Sequence, residues 1–216
     1  MKPSLFLFVL LTSVAFLFAM SWNKDSCPEI KAGDISFMTF KANGNDGFSI
    51  ITFRPIKPNT KIFFADSEWN GNHFGTDEGT LIWNSGNETI KAGSNISFGT
   101  LNSIPFVSHG QVKGEISIST SSDAIFAFKG TGVKMPTQFL AAFANDRAAY
   151  GTLLNTGLVE GHTAITFPKG TYLAQYNGPK YNINKDDFIM GLNEMKNYNF
   201  NQDGLVKSDT SITDSL

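Results

Sequence analysis

From Asp34 onward the chain breaks into short apolar runs of period two, separated by turn residues. This rhythm limits its folds more than any other feature. The runs are DISFMTFKA (34–42), FSIITF (48–53), KIFFAD (61–66), GTLIW (79–83), SNISFG (94–99), GEISIST (114–120), DAIFAFKG (123–130), QFLAAFA (138–144) and TAITFP (163–168). They are rich in β-branched and aromatic residues, which suit a pleated, half-buried surface. In the first run Ile35, Phe37 and Thr39 share a face. Turn residues recur roughly every eight to twelve positions, the spacing of a sandwich or barrel. NGNDG (43–47) is a hairpin signal, because Asn-Gly and Asp-Gly tolerate positive φ. The two prolines of RPIKPNT (54–60) interrupt pairing and mark a loop. QFLAAFANDRAAYGTLL has alanines that also suit a helix; it is read as a strand through Phe143.

One helix is expected within NINKDDFIMGLNEMKNYNF (182–200). Asn184 can cap it, Asp186 and Asp187 suit the positive end of its dipole, and Phe188, Ile189, Leu192 and Met195 form an apolar stripe. The expected fold is all-β: a mainly antiparallel β-sandwich with one or two short helices, one of them near the C-terminus.

The 216 residues suit a single domain, with a core heavy in phenylalanine: 20 Phe against three Trp and five Tyr. A net charge of −2 with no run of either sign offers no basic face for a phosphate backbone, so nucleic acid is not an expected partner. Residues 1–21, with Lys2, an apolar stretch from Leu5 to Met20, and Ala19 and Ser21 at −3 and −1, read as a secretory signal peptide. An uncleaved anchor is the alternative. Residues 22–32 form a lead segment, 33–202 the sandwich domain and 203–216 a polar tail, giving an exported, extracellular chain with no membrane attachment after cleavage. Cys27 is the only cysteine, so no intrachain disulfide can form. Asn87 and Asn95 head glycosylation sequons, relevant if the source is eukaryotic.

Several stretches together resemble an uncharacterised β-rich module of secreted bacterial proteins. They are Gly33-Asp34-Ile35 with Phe37, Asn45-Asp46-Gly47-Phe48, Ile62 to Asp66 with Trp69, and Glu78-Gly79-Thr80 with Trp83. In the second half Asp123-Ala124-Ile125, Pro136-Thr137 with Phe139-Leu140, Thr156-Gly157-Leu158 and Tyr176-Asn177-Gly178-Pro179 are similar to it as well. The resemblance spans about 33–200. It implies an extracellular all-β module and no particular reaction. Where the family often has an aromatic-basic pair, Phe74 is followed by Gly75, so no arginine-based site is implied.

The stretch IFFADSEWNGNHFGTDEGTLIW (62–83) encloses a polar loop between apolar flanks, and is the expected site. From Asp66, oxygen-bearing side chains fall at positions 1, 3, 5 and 12, with glycine at 6, close to a calcium loop. Asp66, Glu68, Asn70, Asp77 and Glu78 are therefore the candidate ligands for Ca²⁺. Glu at position 3, Asp at 12 and strand-like flanks separate the loop from an EF-hand. The alternative is a glycine-rich connection whose acids cap backbone amides. Trp69, Asn70, Asn72, His73 and Phe74 are candidates for binding a glycan, with an aromatic face on the sugar and amides on its hydroxyls. Against this, Trp69 could fold over the sandwich rim as a plug. Trp83 is expected in the core.

No G-x-S-x-G elbow or H-E-x-x-H motif is present, and His73, His109 and His162 are far apart in sequence. Three functions remain open: a non-catalytic binding or adhesion module for glycan, matrix or a surface protein; an extracellular polysaccharide hydrolase using loop carboxylates; and a structural component of an extracellular layer.

Overall fold

The computed structural model of the chain describes residues 27–42, 44–180 and 183–202. The expected signal peptide, Asn43 and the polar tail lie outside them. In chain order the strands are β1 (Ile35–Lys41), β2 (Gly47–Thr52), β3 (Lys61–Ala65), β4 (Thr80–Asn84), β5 (Asn95–Gly99), β6 (Phe106–Val107), β7 (Gln111–Glu115), β8 (Ala124–Gly132), β9 (Met135–Ala144), β10 (Ala164–Thr166), β11 (Thr171–Tyr176) and β12 (Tyr198–Gln202). They form two six-stranded sheets, ordered β12-β11-β1-β2-β5-β6 and β10-β9-β8-β3-β4-β7. Pairing is antiparallel except for β9 with β10. This is the expected all-β, sandwich-like fold. Among the described residues no helix is long and apolar enough to cross a membrane.

The core between the sheets is aromatic. Phe37, Phe40, Phe48 and Phe98 of the first sheet meet Phe64, Trp83 and Phe143 of the second; the Phe37–Phe143 and Phe40–Phe143 ring centroids are each 4.9 Å apart. Each such pair adds about 0.5–1.5 kcal/mol beyond its area burial. The alternation of β1 does not run through as expected. Its register against β2 shifts between Phe37 and Thr39, so Phe40 turns into the core and Thr39 bonds Ser49 Oγ at 2.9 Å.

The runs of β3, β8 and β9 are apolar on both faces, which requires cover on both. Phe63, Phe126, Phe128 and Phe139 point away from the first sheet into a second apolar cluster with Trp69, Phe74, Tyr150 and Leu158. Two loops, 66–79 and 145–163, therefore lie as a cover on the outer face of the second sheet.

GEISIST was expected as one strand. The ladder ends at Glu115, and residues 116–119 cross the end of the sandwich with Ile116 and Ile118 buried and Ser117 and Ser119 exposed. The alternation is strand-like, but the neighbour is not a strand. Ser117 N donates to Asp66 Oδ2 (3.0 Å), Ile118 N to Asp46 Oδ2 (2.9 Å) and Ser119 N to Asp123 Oδ2 (2.7 Å). Three buried aspartates from three turns thus satisfy backbone donors that would otherwise be orphaned. Asn145, fully buried, completes the brace. Its Oδ1 accepts from Asp123 N (2.6 Å), and its Nδ2 donates to Ser119 O (2.8 Å) and Thr171 O (3.1 Å).

Near the C-terminus α1 (Lys185–Leu192) forms within the expected stretch, capped by Asn184 Oδ1 accepting from Asp187 N at 2.9 Å, with Phe188, Ile189 and Leu192 buried. It ends before Met195, the last residue of the expected stripe, which is half-buried in a 3-10 turn. Lys185 Nζ (3.1 Å) and Arg54 Nε (3.2 Å) both pair with buried Asp34, tying the helix to the start of β1.

Candidate functional site

Loop 66–79 is built inward from its two aromatics. Trp69 N donates to Tyr150 O (3.0 Å), Thr152 N to Trp69 O (2.9 Å), and Trp69 Nε1 to Leu154 O (2.8 Å). Asn155 Nδ2 adds a bond to Gly71 O at 2.9 Å, so the two covering loops are sewn together. Gly151 permits this: its φ is +65°, and a side chain there would press on the Trp69 carbonyl. Trp69 is 4% exposed and Phe74 3%.

Their rings pack on each other and on Phe139, so Trp69 sits as a plug, the alternative to a sugar-stacking face, and neither ring presents an open face. The physical reason is that the outer sheet face needed an apolar cover. Asn70 is consumed locally. Its Oδ1 accepts from Asn72 N (2.9 Å) and His73 N (3.0 Å), and its Nδ2 meets the His73 ring. Asn72 and His73 remain exposed.

The acids lie at the other side of the loop. Glu68, Asp77 and Glu78 are exposed, whereas Asp66 is buried, with Oδ1 lacking a hydrogen-bond partner, as does Ser67 Oγ beside it. Burial raises Asp66, against the opposing pull of the Ser117, Asp66 and Gly79 amides and of Lys134. Desolvation, then the charges of Glu68, Asp66 and Asp77, push Glu78 up to about 7. Burial also pushes Asp123 up to about 7, opposed by the Ser119 and Ala124 amides and reinforced by Asp66 and Glu78.

Lys134, at the tip of the β8–β9 hairpin, donates to Gly75 O at 2.8 Å and supplies positive charge to this group. Among the described residues no three His, Cys, Asp or Glu side chains converge as a metal would require. Asp66 instead spends one oxygen on the crossing segment. Gly79 sits where a side chain would collide with Glu115 O, so the EGT stretch serves the β4–β7 contact.

A cleft of about 550 Å³ opens elsewhere, between Lys31-Ala32, the Pro136–Phe139 stretch of β9 and the Asn155–Gly157 turn, with Trp69 also lining it. Of the expected ligand-binding residues only Trp69 reaches it. A second cleft, of about 560 Å³, lies among Asn59, Asn84, Asn87, His109 and Gln111. The Asn87 sequon borders it, and Asn87 and Asn95 are both exposed. Cys27 is half-buried, its Sγ donating to Pro55 O at 3.1 Å.

No family model matches the chain, nor does any curated protein or solved structure at a significant level.

Proposed function

We propose that this chain is an exported, non-catalytic β-sandwich that binds or adheres, and that it holds a glycan, a matrix component or a surface protein in the cleft between β9 and the 155–157 turn. The observation that carries this reading is the cleft itself. Its volume of about 550 Å³ lies within the range of ligand pockets, and amides, hydroxyls and one lysine line it without a carboxylate. Glycoside hydrolysis needs two carboxylates about 5–9.5 Å apart, so these walls suit holding rather than cleaving. Gln138→Trp, at an exposed position on one wall, should abolish binding to immobilised glycans, matrix and surface proteins while leaving the unfolding midpoint unchanged. Binding that survives this filling of the cleft would refute the assignment.

Calcium-dependence is a separate element of the proposal. It rests on the charge gathered at Asp66, Glu68, Asp77 and Glu78 and on the unpartnered Asp66 Oδ1. A site saturated about a hundredfold should raise stability by roughly 2.7 kcal/mol in Ca²⁺ over EDTA, an effect lost in Asp66→Ala and Asp77→Ala. An unchanged midpoint at about 10 mM Ca²⁺, far above a millimolar-affinity site, removes calcium from the reading.

One observation favours the hydrolase reading: Glu78, held near 7 amid other acids, has the character of a general acid. Polysaccharide cleavage abolished by Glu78→Gln would select it.

A further inference from the structure

Resting on the assignment of this cleft as the binding site, we infer that its ligand is an extended, acidic peptide segment of a partner protein, which adds to the free edge of β9. Three observations converge. On the side away from β8, β10 pairs only with Ala142–Ala144. Just ahead of that ladder the turn that leads into β1 takes one more position, Gly33 N donating to Leu140 O at 3.0 Å. Among the described residues no hydrogen bond reaches that side of β9 between Met135 and Phe139. The unpaired stretch starts at Pro136, a residue suited to a sheet edge, and it is the part of β9 that walls the cleft.

With β10 this edge already accepts an extended segment over Ala142–Ala144, and the cleft is the continuation of the same edge. Four residues of strand span about 13 Å, enough to pair with a short peptide whose main chain supplies the affinity. A sugar would find less to hold it, since Trp69 and Phe139 are 4% and 6% exposed and present no open ring face. The charge selects the peptide. Lys31 is the cationic side chain of the wall, it is exposed, and it forms no ion pair among the described residues; no acid lines the cleft to neutralise it. A carboxylate on the incoming strand, from Asp, Glu or a C-terminus, meets that ammonium.

A random dodecapeptide library displayed against the chain from Trp22 onward tests this, with the enriched peptides synthesised and their affinities measured. Enriched peptides should carry a carboxylate and slow hydrogen exchange in the 136–139 stretch. They should weaken at least tenfold when alternate backbone nitrogens are N-methylated, and again with Lys31→Glu, which leaves the unfolding midpoint in place. No enrichment, indifference to N-methylation, or protection that maps elsewhere overturns the inference. If glycans bind instead and Gln138→Trp abolishes that binding, the cleft stands and the peptide falls. If Gln138→Trp leaves every ligand bound, the cleft itself falls.

Discussion

Asn145 is where one substitution should reveal most about how the two sheets are joined. It ends the β9 run, yet its side chain reaches Thr171 of the opposite sheet, the crossing segment at Ser119 and the amide of Asp123. Asn145→Ala removes all three bonds. Ser119 is exposed, so its carbonyl can turn to water; the Asp123 amide and the Thr171 carbonyl are buried and cannot. Two orphaned groups at roughly 1–2 kcal/mol each put the cost at about 3 kcal/mol. For a domain of this size that is a fall in midpoint of roughly 6–12 °C. Urea unfolding should show the same loss as a lower transition midpoint at constant slope. Asn72→Ala, at an exposed position on the covering loop, is the control and should stay within about 0.5 kcal/mol. A cost for Asn145→Ala below about 1 kcal/mol, at unchanged slope, would refute the claim that this amide braces the sheets.

The raised acids set a pH dependence. In the folded chain Asp123 and Glu78 lie near 7 and Asp66 is raised, so the folded form keeps protons that the unfolded form has released. Their contribution is fully present below the ordinary carboxylate range and is lost as pH climbs through about 7. The unfolding midpoint should therefore be lower at pH 8 than at pH 5, and Glu78→Gln should flatten the slope; a midpoint that rises with pH would contradict the shifts. Lys134→Met removes the positive charge facing this group and should move Glu78 still further up, as read by its NMR titration; an unmoved Glu78 would mean that Lys134 does not act as the counter-charge. Trp69→Phe should cost about 1–1.5 kcal/mol for its bond to Leu154, and Trp69→Ala about 3–5 kcal/mol, measured by thermal unfolding. Equal costs would mean that the ring volume contributes nothing to the cover.

The strands were legible wherever alternation or a continuous apolar run met turn residues, and Asn184 announced its helix. The last pair of strands was not: neither TYLAQY (171–176) nor the polar YNFNQ (198–202) reads as a strand run, and their pairing with each other across the intervening helix, with β11 also against β1, makes them strands. The end of the β7 ladder was hidden for the opposite reason. Ile116 and Ile118 alternate as in a sheet, but their partners are carboxylates at positions 46, 66 and 123, which no local pattern connects. The oxygen spacing of the 66–77 loop points to a turn and to a cation site alike, because both draw on the same residues. What sequence could not weigh was the demand of Phe63, Phe126 and Phe128 for a cover, which takes Trp69 and Phe74 inward. Lys31 and Gln138 carry no motif at all. Pro136-Thr137 and Thr156-Gly157, which carry a resemblance, and Trp69 among the binding candidates were the pointers toward the cleft.

The strand order of the first sheet also governs when it can exist. β1 pairs with β11, Thr39 opposite Gln175 and Lys41 opposite Leu173, so its outer edge stays open until more than a hundred further residues have been made. At typical elongation rates of 5–20 residues per second that wait is on the order of ten seconds. Through it, ISFMTFK and its β2 neighbour remain without one flank, and a topology this rich in distant pairings closes slowly even once complete. A chain that cannot finish folding before its end is synthesised stays threadable for as long as synthesis lasts. The same delay leaves the β1 edge open to stray pairing until β11 covers it.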